Sequence, residues 1–210
     1  MTRGPDGKKV YDKVNKDAAC YYSVLINKEL GNKEWPATEV QEYEMECSRS
    51  VLIYFMQFIH RNKLNNIPET TLKNKGKALA IGTDAVHLWI LADRHFIPGL
   101  KNRALHILHY IMGRRELSEV MGRIFEQEQE FVWKNTEKKS KLRVFLMDWM
   151  STCDDYEVPR EISSKWDVGL WQEMYEHARK MLQTKTGRQV LTWYYSPVPE
   201  QGRDGTLESE

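Results

Sequence analysis

Residues Leu88–Leu105 read LWILADRHFIPGLKNRAL. The stretch is two helices meeting at a joint. Its first five residues are all apolar, and Thr83 or Asp84 is positioned to cap a helix that ends near His95. Pro98 suits the first turn of the next helix, where its missing N–H costs nothing. From there Leu100, Ala104, Ile107, Leu108 and Ile111 recur at helical spacing, and Gly113 closes the run.

Outward from this pair the same period continues. Val51, Phe55, Phe58 and Ile59 fall at i, i+4, i+7 and i+8, one face of a helix over 48–63. Asn62 is placed to end it in a left-handed conformation. Asn65–Lys77, with Pro68 and Gly76, reads as a loop. Asn15 and Ser23 are N-caps for two short helices through Tyr22 and to about Leu30. Downstream, Glu116–Trp133 reads as a helix. A second stripe holds Leu142, Phe145, Leu146, Trp149 and Cys153, and a third Val168, Trp171, Tyr175, Ala178 and Leu182. Aromatic stripes at helical spacing are core by default. Only Lys8–Val14 and Thr38–Met45, around Val40, suggest strands. The fold class expected is thus α+β, mostly helical, with a short residual β-sheet.

The chain has 210 residues, 41% hydrophobic and 11% aromatic, enough to bury a core. Lys and Arg (31) nearly cancel Asp and Glu (30), so no global charge favours nucleic acid or an anionic membrane. No apolar run approaches the ~20 residues a membrane helix needs, and no signal peptide is evident. Cys20, Cys47 and Cys153 are few, odd in number and far apart. They fit a reducing compartment, cytoplasmic or nuclear.

Four segments together carry a family resemblance. Tyr54–Leu64 (YFMQFIHRNKL) is similar to a characteristic helix of BTB/POZ domains of the fungal type, with His60 and Asn62 where Tyr and Gly are usual. Leu88–Leu105 resembles the family's helix–Ile-Pro–helix signature. Val14–Ser23 (VNKDAACYYS) resembles its V-H-K segment, with Asn15 in place of His. Val132–Leu146 (VWKNTEKKSKLRVFL) resembles the N-T-x-x-x-S-x-L-R stretch of its helical tail.

The resemblance implies a BTB/POZ-like domain over 8–115 lacking the usual first strand and helix, between a tail at 1–7 and a helical C-terminal extension at 116–195. Residues 196–210 read as a disordered tail. The implied core is Phe55, Phe58, Ile59, Leu88, Leu91, Ala92, Ile97, Pro98, Leu100, Ala104 and Leu108. The implied function is non-enzymatic: an adaptor for a cullin-type ubiquitin ligase, or a module assembling transcription regulators. The missing elements usually build the dimer seam, which leaves homodimer and heterodimer both open. The implied partner surface is Arg103, His106, His109 and Tyr110, with the sheet near Val40.

Two rival readings rest on other residues. A metal-dependent enzyme would draw on Asp84, His87, Asp93 and His95, or on the His106/His109 pair. With about 100° per residue, His106 and His109 stand near 240° and 180° when the apolar face centres near 20°, so both point away from the core. No nucleophile, phosphate-loop or zinc-protease motif accompanies them, and no cofactor is expected. A nucleic-acid binder would use Lys73, Lys75 and Lys77, with Lys134, Lys138, Lys139, Lys141 and Arg143. Charge runs in loops are more often only solvated.

Overall fold

The computed structural model describes residues 2–3, 9–10, 14–31, 43–65, 68–152 and 168–183. These are about 81% helical, and the fold is all-α. The expected α+β class with a residual sheet is therefore incorrect. Among the described residues extended pairing is confined to two residues on each side, Thr2–Arg3 antiparallel to Lys9–Val10. Tyr43–Glu46 takes no regular structure, and Val40 lies outside the described residues. The alternation at 38–45 rested on one inward apolar residue. A strand that short has no stability without neighbours.

The chain opens with α1 (Lys16–Tyr22) and α2 (Val24–Ile26), which runs into a π-turn at Asn27–Gly31. Asn15 caps α1 by accepting from Ala18 N, and Ser23 caps α2 by accepting from Ile26 N. Next comes α3 (Arg49–Arg61), capped by Ser48 and ended by Asn62 at φ 51°. After α4 (Glu69–Leu72), α5 runs from Lys75 to Arg94 and α6 from Pro98 to Met112. A 3-10 turn at Arg115–Leu117 leads into α7 (Ser118–Asn135). Then follow α8 (Lys141–Thr152) and α9 (Val168–Gln183).

α5 is the centre of the molecule, and it starts eight residues before the cap expected at Thr83. Asn74 caps it, accepting from Lys77 N. Part of the expected 65–77 loop is thus helical. The sequence reading was misled by Gly76 and by Thr83-Asp84, a cap-like pair that sits in the helix interior. Residues Leu88–Ala92 are all buried, five in succession. A helix apolar all round has neighbours all round. α6 folds back beside α5 across three residues, while α3 and α7 pack on its other sides. One buried cluster runs from Ala19 to Leu170.

Gly82 sets the approach of α7 to α5. A Cβ there would stand 2.2 Å from Ile124 Cδ1, 3.1 Å from its Cγ1 and 3.3 Å from Ile111 Cδ1. Gly82→Ala sets two effects against each other. Alanine is the better helix former by about 1 kcal/mol. Overpacking typically costs about 1–3 kcal/mol. Ile111 and Ile124 are both fully buried and have little room to yield, so overpacking should win, with a net loss of up to about 2 kcal/mol. Ile124→Val removes the clashing methyl and should recover most of that loss in the double variant. Simply additive losses in urea melts would refute the account.

α9 departs from expectation. Val168, Trp171 and Tyr175 are 68%, 44% and 70% exposed, not core. The helix instead turns Leu170, Met174 and His177 toward α8. Periodicity located the stripe, but a helix with apolar residues on two faces does not say which one is covered.

Candidate interaction surface

The joint between α5 and α6 is built by backbone geometry. Ile97 N donates to Ala92 O (2.9 Å) and Phe96 N to Asp93 O (3.1 Å). This is a Schellman closure, and both Ile97 and Ala92 are buried. The residue at its left-handed position is ordinarily glycine. Here it is Phe96, at φ 55° and 64% exposed. Lys101 braces the joint, donating to Asp93 Oδ1 (2.7 Å) while its ammonium lies 5.4 Å from the Trp89 ring.

His95 anchors the joint inward. It is buried, and its Nδ1 lies 2.8 Å from Leu91 O, so Nδ1 carries the proton and donates. Nε2 then accepts from the Tyr43 hydroxyl at 3.2 Å. The Ser23 hydroxyl donates to His95 O at 3.1 Å, which brings the α1–α2 turn against the joint. Tyr21 and Val24, flanking Ser23, are both exposed.

Burial pushes the His95 imidazole below its usual pKa, against the Leu91 carbonyl and Glu29, which favour the proton; Arg94 opposes it. Below about pH 6.5 the unfolded chain takes up a proton that the folded ring refuses. Stability should therefore be full above that value and fall as pH drops from it toward the folded pKa. His95→Gln should show a shallower loss between about pH 7.5 and 5.5, the range that spans the unfolded pKa, in urea midpoints. Parallel curves for variant and wild type would overturn this. His109 is depressed in the same direction, by burial and by His106, and contributes equally to both proteins.

Every core residue expected from sequence is buried except Pro98, which is half-buried. On α6, Arg103 and His106 are exposed. His109 is half-buried beside Phe145, ring centroids 6.4 Å apart, and so does not point away from the core as expected. The reason is Phe145 of α8, which stands beside this one histidine. Tyr110 donates to Glu69 (3.2 Å), and the Arg114 guanidinium lies over its ring.

The acid and histidine residues singled out for metal chemistry do not converge. Asp84 accepts from the Ser50 hydroxyl at 2.7 Å, and burial raises its carboxyl pKa. His87 lies 2.7 Å from Glu128 Oε2, its ring stacked on Phe131. Asp93 serves Lys101. Among the described residues no three His, Cys, Asp or Glu side chains group as a metal site. Cys47 is half-buried, its thiol pushed up to about 11 by burial.

The basic runs are also dispersed. Lys75 pairs with Glu119 at 2.6 Å. Arg143 turns inward, where its Nη1 donates to Glu173 (3.1 Å), its Nε to Thr136 Oγ1 (2.9 Å) and its Nη2 to the Trp133 and Thr136 carbonyls. Sequence reading missed this clamp. Its signal was the Thr136, Ser140, Arg143 spacing: Ser140 caps α8, accepting from Arg143 N at 3.3 Å.

No helix among the described residues is long and apolar enough to cross a membrane. Comparison with protein-family models, with curated proteins and with solved structures finds no match.

Proposed function

We propose that the chain is a non-enzymatic protein–protein interaction module with Phe96 as its anchor. The observation that carries this reading is an exposed phenyl ring held at positive φ. The closure favours glycine there, which takes that conformation without penalty, and a phenylalanine is strained by about 1 kcal/mol. Strain of this kind collects at functional positions, and exposed aromatics on rigid elements are the usual anchors of protein interfaces. Tyr21 and Val24, on the turn tied to His95, would extend the surface on one side. Arg103 and His106, on the helix leaving the joint, would extend it on the other. The resemblance to BTB/POZ domains now rests chiefly on Leu88–Leu105, and it makes a cullin scaffold the first candidate partner.

The test is Phe96→Gly in the full chain. Relief of strain and loss of partial ring contact are each about 1 kcal/mol and opposed. The variant should thus stay within about 1 kcal/mol of wild-type stability. Tagged wild type should capture a cullin from native extract in stoichiometric yield, and Phe96→Gly should not. A different partner lost in the variant would keep the module and remove the adaptor role. Identical captures by both proteins would overturn the reading.

A further inference from the structure

The ends of α5 and α7 meet beside Phe96. Arg94, two residues before that ring, donates to the Asn135 side chain at the close of α7. Lys101, in the first turn of α6, bears on Lys141 at the start of α8. Burial first, and then the Lys101 charge, holds the Lys141 ammonium below its ordinary pKa. Phe96 and the turn at 136–140 therefore share one end of the molecule. Among the described residues three non-glycine positions have positive φ. Asn62 tolerates it as an asparagine. The other two, Phe96 and Lys139 (φ 64°), are both exposed and both stand at this end.

The same end concentrates positive charge. Residues 93–101 and 134–141 hold Arg94, Lys101, Lys134, Lys138, Lys139 and Lys141 against Asp93 and Glu137, on a chain whose net charge is +1. Asp93 is taken by Lys101. Arg94, Lys134, Lys138 and Lys139 are exposed, and among the described residues no carboxylate forms an ion pair with them. The helix ends do not offset this charge. The carbonyls of Ala92 and Asp93 are taken by the joint, Phe131 O by Asn135 Nδ2 (2.8 Å), Val132 O by Thr136 Oγ1 (2.7 Å) and Trp133 O by Arg143. α6 begins without a side-chain cap, so its positive end adds to the field.

We infer that this end docks an acidic segment of a protein partner, which sets an apolar residue on Phe96 and carboxylates on Lys134, Lys138 and Lys139. The inference rests on Phe96 as the anchor and adds the chemistry of what is anchored. Packed helices stand ~8–10 Å apart, and about seven extended residues reach ~23 Å, enough to cross from the joint to the 136–140 turn. The ring supplies the buried contact, while the exposed cations supply steering and choice of partner. A peptide suits the patch better than a nucleic-acid strand. A strand carries a phosphate at every nucleotide and would set charge against Asp93 and Glu137, where a peptide can place a neutral residue.

The test lets the chain select its own ligands. A displayed library of random short peptides is panned on the full chain, and the enriched peptides are synthesised, labelled and titrated by fluorescence anisotropy. They should carry net negative charge beside an apolar residue, and their affinity should fall as salt rises. The triple variant Lys134→Gln, Lys138→Gln, Lys139→Gln should weaken them about tenfold, and Phe96→Gly should abolish binding. Neutral or basic peptides that depend on Phe96 but not on the lysines would overturn the acidic site and leave the Phe96 module standing. Acidic peptides that bind Phe96→Gly as well as wild type would overturn both. Enrichment no greater than on bare support would overturn the inference, as would a labelled oligothymidylate that binds more tightly than the best peptide.

Discussion

Arg143→Ala is expected to destabilise the protein by about 3–5 kcal/mol. The guanidinium and the Glu173 carboxylate are 8% and 11% exposed at the side chain, so the pair is withdrawn from water. Removing the arginine leaves a buried carboxylate short of its cation, with only Trp133 Nε1 (3.2 Å) and Lys139 N (3.5 Å) to support it. Two backbone carbonyls lose their donor as well. The penalty for those abandoned groups, not the attraction of the pair, makes the loss large. Two companions separate these terms. Arg143→Lys keeps the charge but cannot reproduce the planar fork that reaches Trp133, Thr136 and Glu173 together, and should recover only part. Arg143→Leu with Glu173→Leu removes both charges and should lose far less than Arg143→Ala. Urea denaturation followed by tryptophan fluorescence measures all three. A double variant as unstable as Arg143→Ala would show that the charge argument is wrong.

Phe58→Ala should cost about 3–5 kcal/mol through lost burial and the cavity left behind. Phe58 is 2% exposed and fills the space between α1 and α6. The Tyr22 ring meets it edge-on at 5.4 Å, and a Cβ on Gly99 would lie 3.0 Å from its Cζ. The space comes from Gly99, so the cavity cannot close unless the α5–α6 joint shifts. His109→Ala supplies the contrast. With its ring half-buried beside Phe145, it should cost about 1 kcal/mol, more than a surface residue and far less than Phe58. Comparable losses for the two would mean that α6 buries its histidine face as deeply as its leucine face.

Much of the helical scaffold was legible in the sequence because its signals are local. Asn15, Ser23 and Asn62 act within a turn of their own position, and each sits where its side-chain chemistry places it. Leu100, Ala104, Ile107, Leu108 and Ile111 repeat at offsets of four, seven, eight and eleven, which share one face of a helix but not of a strand. The errors share one cause: each depends on a partner distant in the chain. Thr83-Asp84 looks like a cap until Ser50, 34 residues earlier, is seen to hold the carboxylate. His109 looks solvated until α8 arrives beside it. Arg143 looks like part of a basic run until Glu173, 30 residues later, meets it. Val40 suggested a sheet on alternation alone, which names no strand to pair with. The Phe96 ring lies within the same helix–joint–helix stretch. Nothing in its own chemistry marks it; only the Schellman bonds from Ile97 and Phe96 reveal that a phenyl stands in a glycine's place.

The all-round burial of Leu88–Ala92 has a consequence for how amide protons exchange with solvent. A helix with one bare side can fray or peel away while the rest of the molecule persists. α5 has no such side: α3, α6 and α7 would all have to part before its middle turns meet water. The amides of these five residues should therefore exchange only through opening of the entire molecule, and they report its global stability directly. The amides of α9, held to the body by one face, open on their own and report something smaller.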